Sequence, residues 1–209
     1  MNISDIREKL FSTKSKDRLR AAKEIGKQCL KELSEDILDA YKNEIRDTRT
    51  WQTQVALIES LGIIDNKEAL SFVEPIVTEN KEHDAITGAA AEAYVRLTRK
   101  SINDSKPVVE LLRFGNYSVL NGCLNPLGYD RMMPNDDEIK ELLRLCWNLN
   151  EKKERGLTDP RYGIAAACAG WKENLTQDFL HHCLATADKD TPLTYVSENS
   201  LKRKYVRLR

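Results

Sequence analysis

The sequence predicts an all-α protein built from antiparallel helix pairs, and three observations lead to this prediction. Apolar residues recur every three or four positions through most of the chain, as they do along one face of an α-helix. Helix-start signals and glycines divide these segments at similar intervals. Charged residues make up 32% of the chain and apolar residues 41%, a composition too apolar for a disordered protein.

The first helix pair is predicted close to the N-terminus. Leu19, Ala22 and Ile25 mark one face of a helix that we expect to end at Gly26. Ser34 marks the start of a second helix, because two carboxylates follow it in what would be the first turn. Together these two segments are expected to form one pair.

Two further pairs follow the same pattern. Residues 51–62 and 69–77 are expected to form the second pair, in which Pro75 removes one backbone hydrogen bond. The third pair has one helix beginning at Asp84 and another after the start signal Ser105-Lys-Pro107. Alanine and glycine crowd its first helix, and such small residues let two helix backbones approach closely.

The fourth pair is irregular, and the fifth is the plainest. Gly122 and the Asn125-Pro126 step predict that the first helix of the fourth pair kinks or stops there. Residues 135–138 predict a capping box at the start of its second helix. In the fifth pair, Asp159-Pro160 predicts an N-cap followed by proline at the first helical position, and a partner helix begins near Leu175.

Glycines at the ends of first helices set the repeat length. Gly26, Gly62, Gly128 and Gly170 lie 36, 66 and 42 residues apart, and the middle interval fits two units of about 33 residues. The segments beginning Asp17-Arg-Leu-Arg-Ala-Ala and Asp159-Pro-Arg-Tyr-Gly-Ile-Ala-Ala, with apolar second helices, resemble the HEAT-repeat family. The resemblance implies a right-handed α-solenoid of about five antiparallel pairs. It implies a single domain over residues 1–209, in which 201–209 form a basic C-terminal tail.

The resemblance also implies a binding function. HEAT-like solenoids hold macromolecular partners, so the leading hypothesis is a non-enzymatic protein-interaction module that binds one partner on its concave face. A small HEAT-like protein without an attached catalytic domain resembles, among others, bacterial immunity proteins that neutralise a cognate toxin. The basic tail, with five basic residues in 201–209, is interpreted by default as a frayed and solvated end; the alternative is an extension that binds anions or a partner.

The candidate partner-binding residues lie on predicted second helices. Five are carboxylates that could form an acidic strip facing a basic partner, such as a basic toxin, namely Asp36, Asp39, Asp136, Asp137 and Glu141. Their position near helix starts is also explained by the helix dipole alone. His181 and His182 complete the set. Adjacent helical positions point about 100° apart, so the two histidines are poorly placed to bind one metal ion, but one of them could form a pH-sensitive contact.

Two enzymatic alternatives are known for HEAT-like proteins. The first is a DNA-binding protein of the DNA glycosylase type, for which the residue types are present in Trp51, Trp147, Trp171, Asp130 and Asp159. The balance of 33 basic and 33 acidic residues disfavours nucleic acid as a partner, and Trp51 and Trp171 fit packing positions better. The second is a metal-dependent hydroxylase, which needs paired His-Glu motifs that this sequence lacks. We therefore predict no catalytic residue, no cofactor and no metal ligand.

Cysteine usage and hydropathy indicate the compartment. The five cysteines are odd in number, form no Cys-x-x-Cys pair and lie among apolar neighbours, so they are interpreted as buried, reduced thiols: Cys29, Cys123, Cys146, Cys168 and Cys183. No segment is apolar for the roughly 18 residues that a membrane span requires. The sequence thus predicts a cytoplasmic protein with no membrane partner.

Overall fold

The structure is a computed structural model that describes residues 2–152 and 157–206. Within these ranges the chain forms α-helices and short 3₁₀ turns and no β-strand, which confirms the all-α prediction. The described part contains twelve α-helices: α1 Ile3–Leu10, α2 Ser15–Gln28, α3 Ser34–Glu44, α4 Trp51–Ile63, α5 Leu70–Glu79, α6 Ala85–Thr98, α7 Lys106–Phe114, α8 Tyr117–Tyr129, α9 Asp136–Cys146, α10 Tyr162–Ala167, α11 Glu173–Thr186 and α12 Pro192–Leu201. The sequence predicted α2 to α11, whereas α1 and α12 are additional.

The chain divides into two compact units, one ending at Leu97 and the other beginning at Thr98. In the first unit α2 packs against α4, and α1 against α3. In the second unit α10 packs against α8 and α12, whereas α9 packs against α7 and α11. These contacts join helices of like parity, and consecutive helices also pack against each other, as α1 does on α2, α3 on α4, α7 on α8 and α11 on α12. The single domain over residues 1–209 stays a prediction.

Four even-numbered helices end in the same backbone motif. The residue after the last turn is left-handed in each, with φ between 50° and 61°: Cys29, Asp65, Arg131 and Arg203. At the end of α2, the Cys29 N–H donates to the Gly26 carbonyl at 3.2 Å, and the Leu30 N–H donates to the Ile25 carbonyl at 3.1 Å. The same two bonds recur at the other three ends, as in a Schellman motif. The predicted end of the first helix at Gly26 is therefore wrong, because the helix continues to Gln28 before this cap closes it.

Small residues lie where helices approach most closely, as the sequence predicts. A Cβ on Gly62 would lie 2.8 Å from the Cα of Ala93, and one on Gly163 would overlap the backbone of Leu124. Neighbouring even-numbered helices are also joined by serine hydroxyls. Ser60 on α4 donates to the Ala22 carbonyl of α2 at 2.8 Å, and Ser200 on α12 donates to the Ala165 carbonyl of α10 at 2.8 Å.

Two further helix-boundary predictions hold, and two, like the end at Gly26, do not. The capping box at Asn135 and the start of α7 after Ser105 are confirmed. Of the two alternatives predicted at Asn125-Pro126, the stop is wrong, because α8 continues to Tyr129 with most of its side chains buried, and the kink stays a prediction. Burial of this kind offsets the roughly 3 kcal/mol that an internal proline costs. The predicted N-cap at Asp159 is also wrong: α10 begins at Tyr162, and the Asp159 carboxylate binds Arg161 instead.

Candidate partner-binding grooves

A groove of about 470 Å³ lies between α7 and α9, and we refer to it as the α7–α9 groove. Two predicted partner-binding residues, Asp137 and Glu141, line it. The remaining lining residues come from both helices and the residues before them: Ser105, Lys106, Val109, Glu110, Arg113, Asn135 and Glu138. The groove therefore has a half-buried apolar residue, Val109, beneath a charged rim.

The start of α9 fixes the acidic side of this groove. The Asn135 carboxamide oxygen accepts hydrogen bonds from the N–H groups of Asp137 and Glu138, at 3.1 and 3.0 Å. The Glu138 carboxylate accepts the Asn135 N–H at 3.0 Å, which completes the capping box. The apolar face of α9 is buried on the opposite side, through Ile139, Leu142, Leu143 and Cys146. Asp137 and Glu141, one turn apart, are thereby directed to the rim.

The rim carboxylates of α9 form ion pairs along their own helix rather than across the groove. Asp137 accepts from Lys140 at 3.0 Å, and Glu141 accepts from two nitrogens of Arg144 at 2.8 and 2.9 Å. The hydrogen bonds from Arg144 are the main cause of a lowered pKa of Glu141, so this carboxylate is ionised at neutral pH. Exposed pairs of this kind contribute little and exchange partners readily.

In the described structure, the α7 side of the groove has charged side chains that form no ion pair and a buried hydroxyl that has no hydrogen bond, although the charge of Arg113 is close enough to Glu141 to help lower the pKa of that carboxyl. Within 2–152 and 157–206, the side chains of Lys106, Glu110 and Arg113 form no ion pair. The Ser105 side chain is fully buried, and its Oγ has no hydrogen-bond partner in the described structure. A buried polar group left unsatisfied costs about 1–3 kcal/mol, and a ligand group would recover part of that cost only if the side chains that cover this hydroxyl move aside.

A second groove, of about 480 Å³, lies between α1 and α3, and we refer to it as the α1–α3 groove. Two further predicted partner-binding residues, Asp36 and Asp39, line it. Arg7 of α1 reaches across to Asp36 of α3, with Nε and a terminal nitrogen 3.1 and 3.0 Å from the same carboxylate oxygen. Asp39 accepts from Lys42 on its own helix at 3.2 Å. This groove is thus bridged by an ion pair, whereas the α7–α9 groove is not.

The structure does not bring the remaining predicted residues into either groove. Asp136 pairs with Lys172 at 2.6 Å, which joins the start of α9 to the start of α11. His181 is exposed. His182 is half-buried, stacks on Trp147 with ring centroids 4.2 Å apart, and has its Nε2 2.9 Å from the Trp147 carbonyl oxygen. The two histidines therefore lie in different environments, and only His182 has a packing role.

The residues weighed for enzymatic alternatives are engaged in structural contacts. Asp130 pairs with Arg99 at 2.8 Å, and Asp159 pairs with Arg161 in the core. Trp171 is fully buried and donates its indole N–H to the Met132 carbonyl, which confirms its packing role. Trp51, in contrast, is 47% exposed and therefore does not lie in the core. Among the described residues, no group of three or more His, Cys, Asp or Glu side chains is arranged to hold a metal ion.

The cysteine prediction holds for four of the five side chains. These four are buried in the second unit as free thiols: Cys123, Cys146, Cys168 and Cys183. Burial raises the pKa of each of them, to about 12 for Cys183, so they remain protonated at neutral pH. Cys29 is exposed, because it occupies the left-handed position that ends α2. No helix in the described part of the chain is both long and apolar enough to cross a membrane.

Sequence reasoning missed the α7 side of the groove. Lys106, Glu110 and Arg113 are spaced by four and three positions, which places them on one helix face, and this pattern could have been recognised. The pairing of α7 with α9 has no comparable sequence signal. No protein-family model matches this chain, and no curated protein matches it either. The geometry of the grooves is therefore the main guide to function.

Proposed function

We propose that this protein is a cytoplasmic, non-enzymatic interaction module that holds one protein partner in the α7–α9 groove. The observation that carries the proposal is the α7–α9 groove itself, with Val109 under a charged rim and the unsatisfied Ser105 hydroxyl beside it. Binding sites commonly combine an apolar centre with a polar rim and a few unsatisfied polar groups. No reaction is needed to account for these features.

The architecture that we propose is a HEAT-like α-solenoid whose odd-numbered helices line the concave face. Recurrence of the same helix-ending motif supports it, since Cys29, Asp65, Arg131 and Arg203 lie 36, 66 and 72 residues apart. These intervals correspond to one, two and two repeats of about 33–36 residues. Equivalent serine bonds from α4 to α2 and from α12 to α10 span 38 and 35 residues and support the same period.

The charges of the α7–α9 groove favour a basic partner. Four carboxylates, from Glu110, Asp137, Glu138 and Glu141, line the groove, against two cationic side chains, from Lys106 and Arg113. The α9 carboxylates can exchange an exposed lysine or arginine of their own helix for one of the partner at little cost. Complementary charge of this kind raises the association rate and excludes acidic competitors. A basic toxin that the protein neutralises, as an immunity protein would, is the specific partner that we propose.

Charge reversal in one groove, with the other groove as a matched control, tests the proposal. Partner capture from the native host should succeed with the unmodified protein and with Asp36→Lys/Asp39→Lys. It should fail, or weaken by about tenfold or more, with Asp137→Lys/Glu141→Lys, because two attractive contacts become repulsive. Repeated recovery of no partner by the folded protein, or equal loss in both variants, would contradict the proposal.

Protection assays test the toxin step separately. The protein should rescue cells that express a toxin encoded beside its gene, and the Asp137→Lys/Glu141→Lys variant should not. If both variants protect equally, the α7–α9 groove is not the neutralising site. If neither protects although the captured partner still binds, the partner is not a toxin.

A further inference from the structure

The C-terminal segment at 202–206 packs against the protein instead of extending into solvent as predicted. The Arg203 guanidinium donates to the carbonyls of Trp171 and Gly170, and the left-handed backbone of Arg203 turns the chain toward them. The Tyr205 ring lies 4.4 Å from the Arg131 guanidinium carbon, in a cation–π contact. The prediction of a solvated tail is therefore wrong for these residues, and its last part, 207–209, lies outside the described residues.

This docking creates a continuous exposed surface that we call the tail patch, defined by Ile102, Arg131, Met133, Lys202, Lys204 and Tyr205. Its three apolar members, Ile102, Met133 and Tyr205, are 53%, 46% and 40% exposed. The Met133 N–H donates to the Asn103 side chain at 2.8 Å, which places Met133 beside the turn that contains Ile102.

Gly170 joins Met133 to Tyr205 within the patch. A Cβ on Gly170 would overlap the Tyr205 hydroxyl and lie 3.2 Å from the Met133 sulfur, so both side chains meet over this glycine. Apolar side chains from three separate turns therefore lie together, although they are distant in sequence. Contiguous exposed apolar surface of this kind marks interaction sites more often than single exposed residues do.

The cations around the tail patch have no carboxylate partner among the described residues. Arg131, Lys202 and Lys204 are all exposed and form no ion pair. The neighbouring carboxylates are already engaged: Asp130 pairs with Arg99, and Asp104 accepts the backbone N–H groups of Lys100 and Lys106. The patch thus combines an apolar centre with three exposed cations that form no ion pair among the described residues.

We propose that the tail patch docks an acidic protein segment that carries at least one exposed apolar side chain. This surface is distinct from the α7–α9 groove, and the charge it requires of its partner is opposite. An apolar centre with a complementary charged rim is the usual anatomy of a protein interface.

The patch chemistry favours protein over the other anionic partners. Bases of single-stranded nucleic acid bind by stacking on aromatic rings, and the single ring here, Tyr205, is already covered by Arg131 on one face. Peripheral membrane binding relies on an amphipathic helix, whereas these apolar side chains come from three turns.

Fluorescence polarisation with a labelled twelve-residue peptide tests the proposal. The peptide is rich in Asp and Glu with one Phe and one Leu, and its control has Lys in place of every carboxylate. We expect the acidic peptide to bind and the basic one not to bind. Lys202→Glu/Lys204→Glu should weaken binding by about tenfold or more, and Met133→Ser by roughly fivefold. The matched reversal Lys14→Glu/Lys16→Glu, also of two exposed lysines two positions apart, should change affinity less than about twofold.

Two further variants and probes separate this proposal from its competitors. The Asp137→Lys/Glu141→Lys variant should still bind the acidic peptide, because its substitutions lie outside the tail patch. The peptide result therefore stands whether or not the α7–α9 groove proposal fails. Equal binding of both peptides, or an equal loss in the Lys14/Lys16 control, would overturn the proposal. It would also be overturned if a twelve-nucleotide single strand or phosphatidylserine vesicles bound more tightly than the acidic peptide and lost affinity in Lys202→Glu/Lys204→Glu.

Discussion

The two units place equivalent arginines in different environments. In the unit that ends at Leu97, Arg18 near the start of α2 binds Glu44 at the end of α3 through two nitrogens, at 2.6 and 2.8 Å. In the unit that begins at Thr98, Arg161 before α10 binds Asp159 and reaches Thr186 at the end of α11 at 2.8 Å. Each arginine joins the start of an even-numbered helix to the end of the next odd-numbered one.

Solvent access distinguishes these two contacts. The Arg18 side chain is 20% exposed, whereas Arg161 is fully buried with its partner only 3% exposed. Around Arg161 the electrostatic neighbours are thiols, including Cys146 and Cys183. Both carboxylates are buried, Glu44 at 4% and Asp159 at 3% exposure. Because the Arg18 side chain is partly exposed, its loss would open Glu44 to water, whereas loss of Arg161 would leave Asp159 enclosed. The Arg18–Glu44 and Arg161–Asp159 ion pairs should therefore differ in how much stability is lost when the arginine is removed.

The largest expected effect is that of Arg161→Ala. Removing this arginine leaves the buried Asp159 carboxylate uncompensated, and we expect the free energy of unfolding to fall by about 3–5 kcal/mol. Arg18→Ala should cost about 2 kcal/mol, because water replaces part of the lost contact. Urea denaturation measures both. A double variant, Asp159→Asn with Arg161→Leu, should recover part of the loss, and equal costs for Arg161→Ala and Arg18→Ala would contradict the comparison.

Gly→Ala substitutions at close helix contacts should lower the free energy of unfolding by similar amounts in both units, unlike substitutions of Arg18 and Arg161. Gly62→Ala and Gly163→Ala each place a Cβ against the backbone of a neighbouring helix, which cannot rotate away. We expect each to lower the free energy of unfolding by about 1–3 kcal/mol. Gly170→Ala is the matched control, since its closest contact is the movable tip of Tyr205, and it should cost less than about 1 kcal/mol. Thermal unfolding that ranks Gly170→Ala equal to the other two would contradict this prediction.

As pH rises, stability should be lost first in the unit that contains Cys183 and then in the unit that contains Tyr41. Burial raises the pKa of Cys183 and of Tyr41 to about 12, above the ordinary values in the unfolded chain. A group with a raised folded-state pKa contributes its stability below the unfolded pKa and loses it as pH rises toward the folded value. For the thiol this loss begins near pH 9, and for the phenol near pH 10, at about 1 kcal/mol per pH unit.

Single substitutions can separate these two contributions. Cys183→Ala should make the stability profile shallower by about 1 kcal/mol per pH unit from about pH 9 upward, with the other three buried thiols still contributing to the slope, whereas Tyr41→Phe should make it shallower only above about pH 10. Unfolding free energies measured from pH 8 to pH 11 provide the test. An unchanged profile in either variant would show that the buried group is not responsible for the loss in its range.

The smallest expected effect concerns two buried serines. Ser60 donates to a carbonyl of α2, so Ser60→Ala should cost about 1 kcal/mol. Ser105 has no partner in the described structure, so Ser105→Ala should leave stability unchanged or raise it by about 0.5 kcal/mol. Ser105→Ala should also lower the affinity of the α7–α9 groove for its partner if that hydroxyl is used in binding. Equal losses of stability in the two variants would imply that Ser105 has a structural bond after all.

Sequence patterns predicted most helices but misplaced several of their ends. Asn135 was recognised as a cap because its signal is local: the same few residues donate and accept the bonds. The end of α2 was missed because its motif uses a non-glycine residue, Cys29, in the left-handed conformation. α8 continues through Pro126 because tertiary burial outweighs a local preference, and no sequence rule weighs one against the other.

For the candidate sites, the residue types were easier to predict than their availability. Five carboxylates of α3 and α9 were identified from the sequence: Asp36, Asp39, Asp136, Asp137 and Glu141. Whether each one is free to meet a partner depends on the facing helix, because Asp36 is bound by Arg7 of α1 whereas Asp137 is not bound from α7. The sequence left the segment that contains Tyr205 open between a solvated tail and a binding extension, and it could not predict the docking of this ring, which depends on Arg131 and Gly170, both distant in sequence.

The sequence alone determined the all-α class, ten of the twelve described helices and the small residues at close helix contacts. These follow from periodicity and from local hydrogen bonding, which act over a few residues. Tertiary structure decided which charges are buried, which grooves stay open and where the C-terminal segment lies. Those outcomes depend on burial and on partners 30 or more residues away, as for Ser60 with Ala22 or Trp171 with Met132. A local pattern carries no information about such contacts.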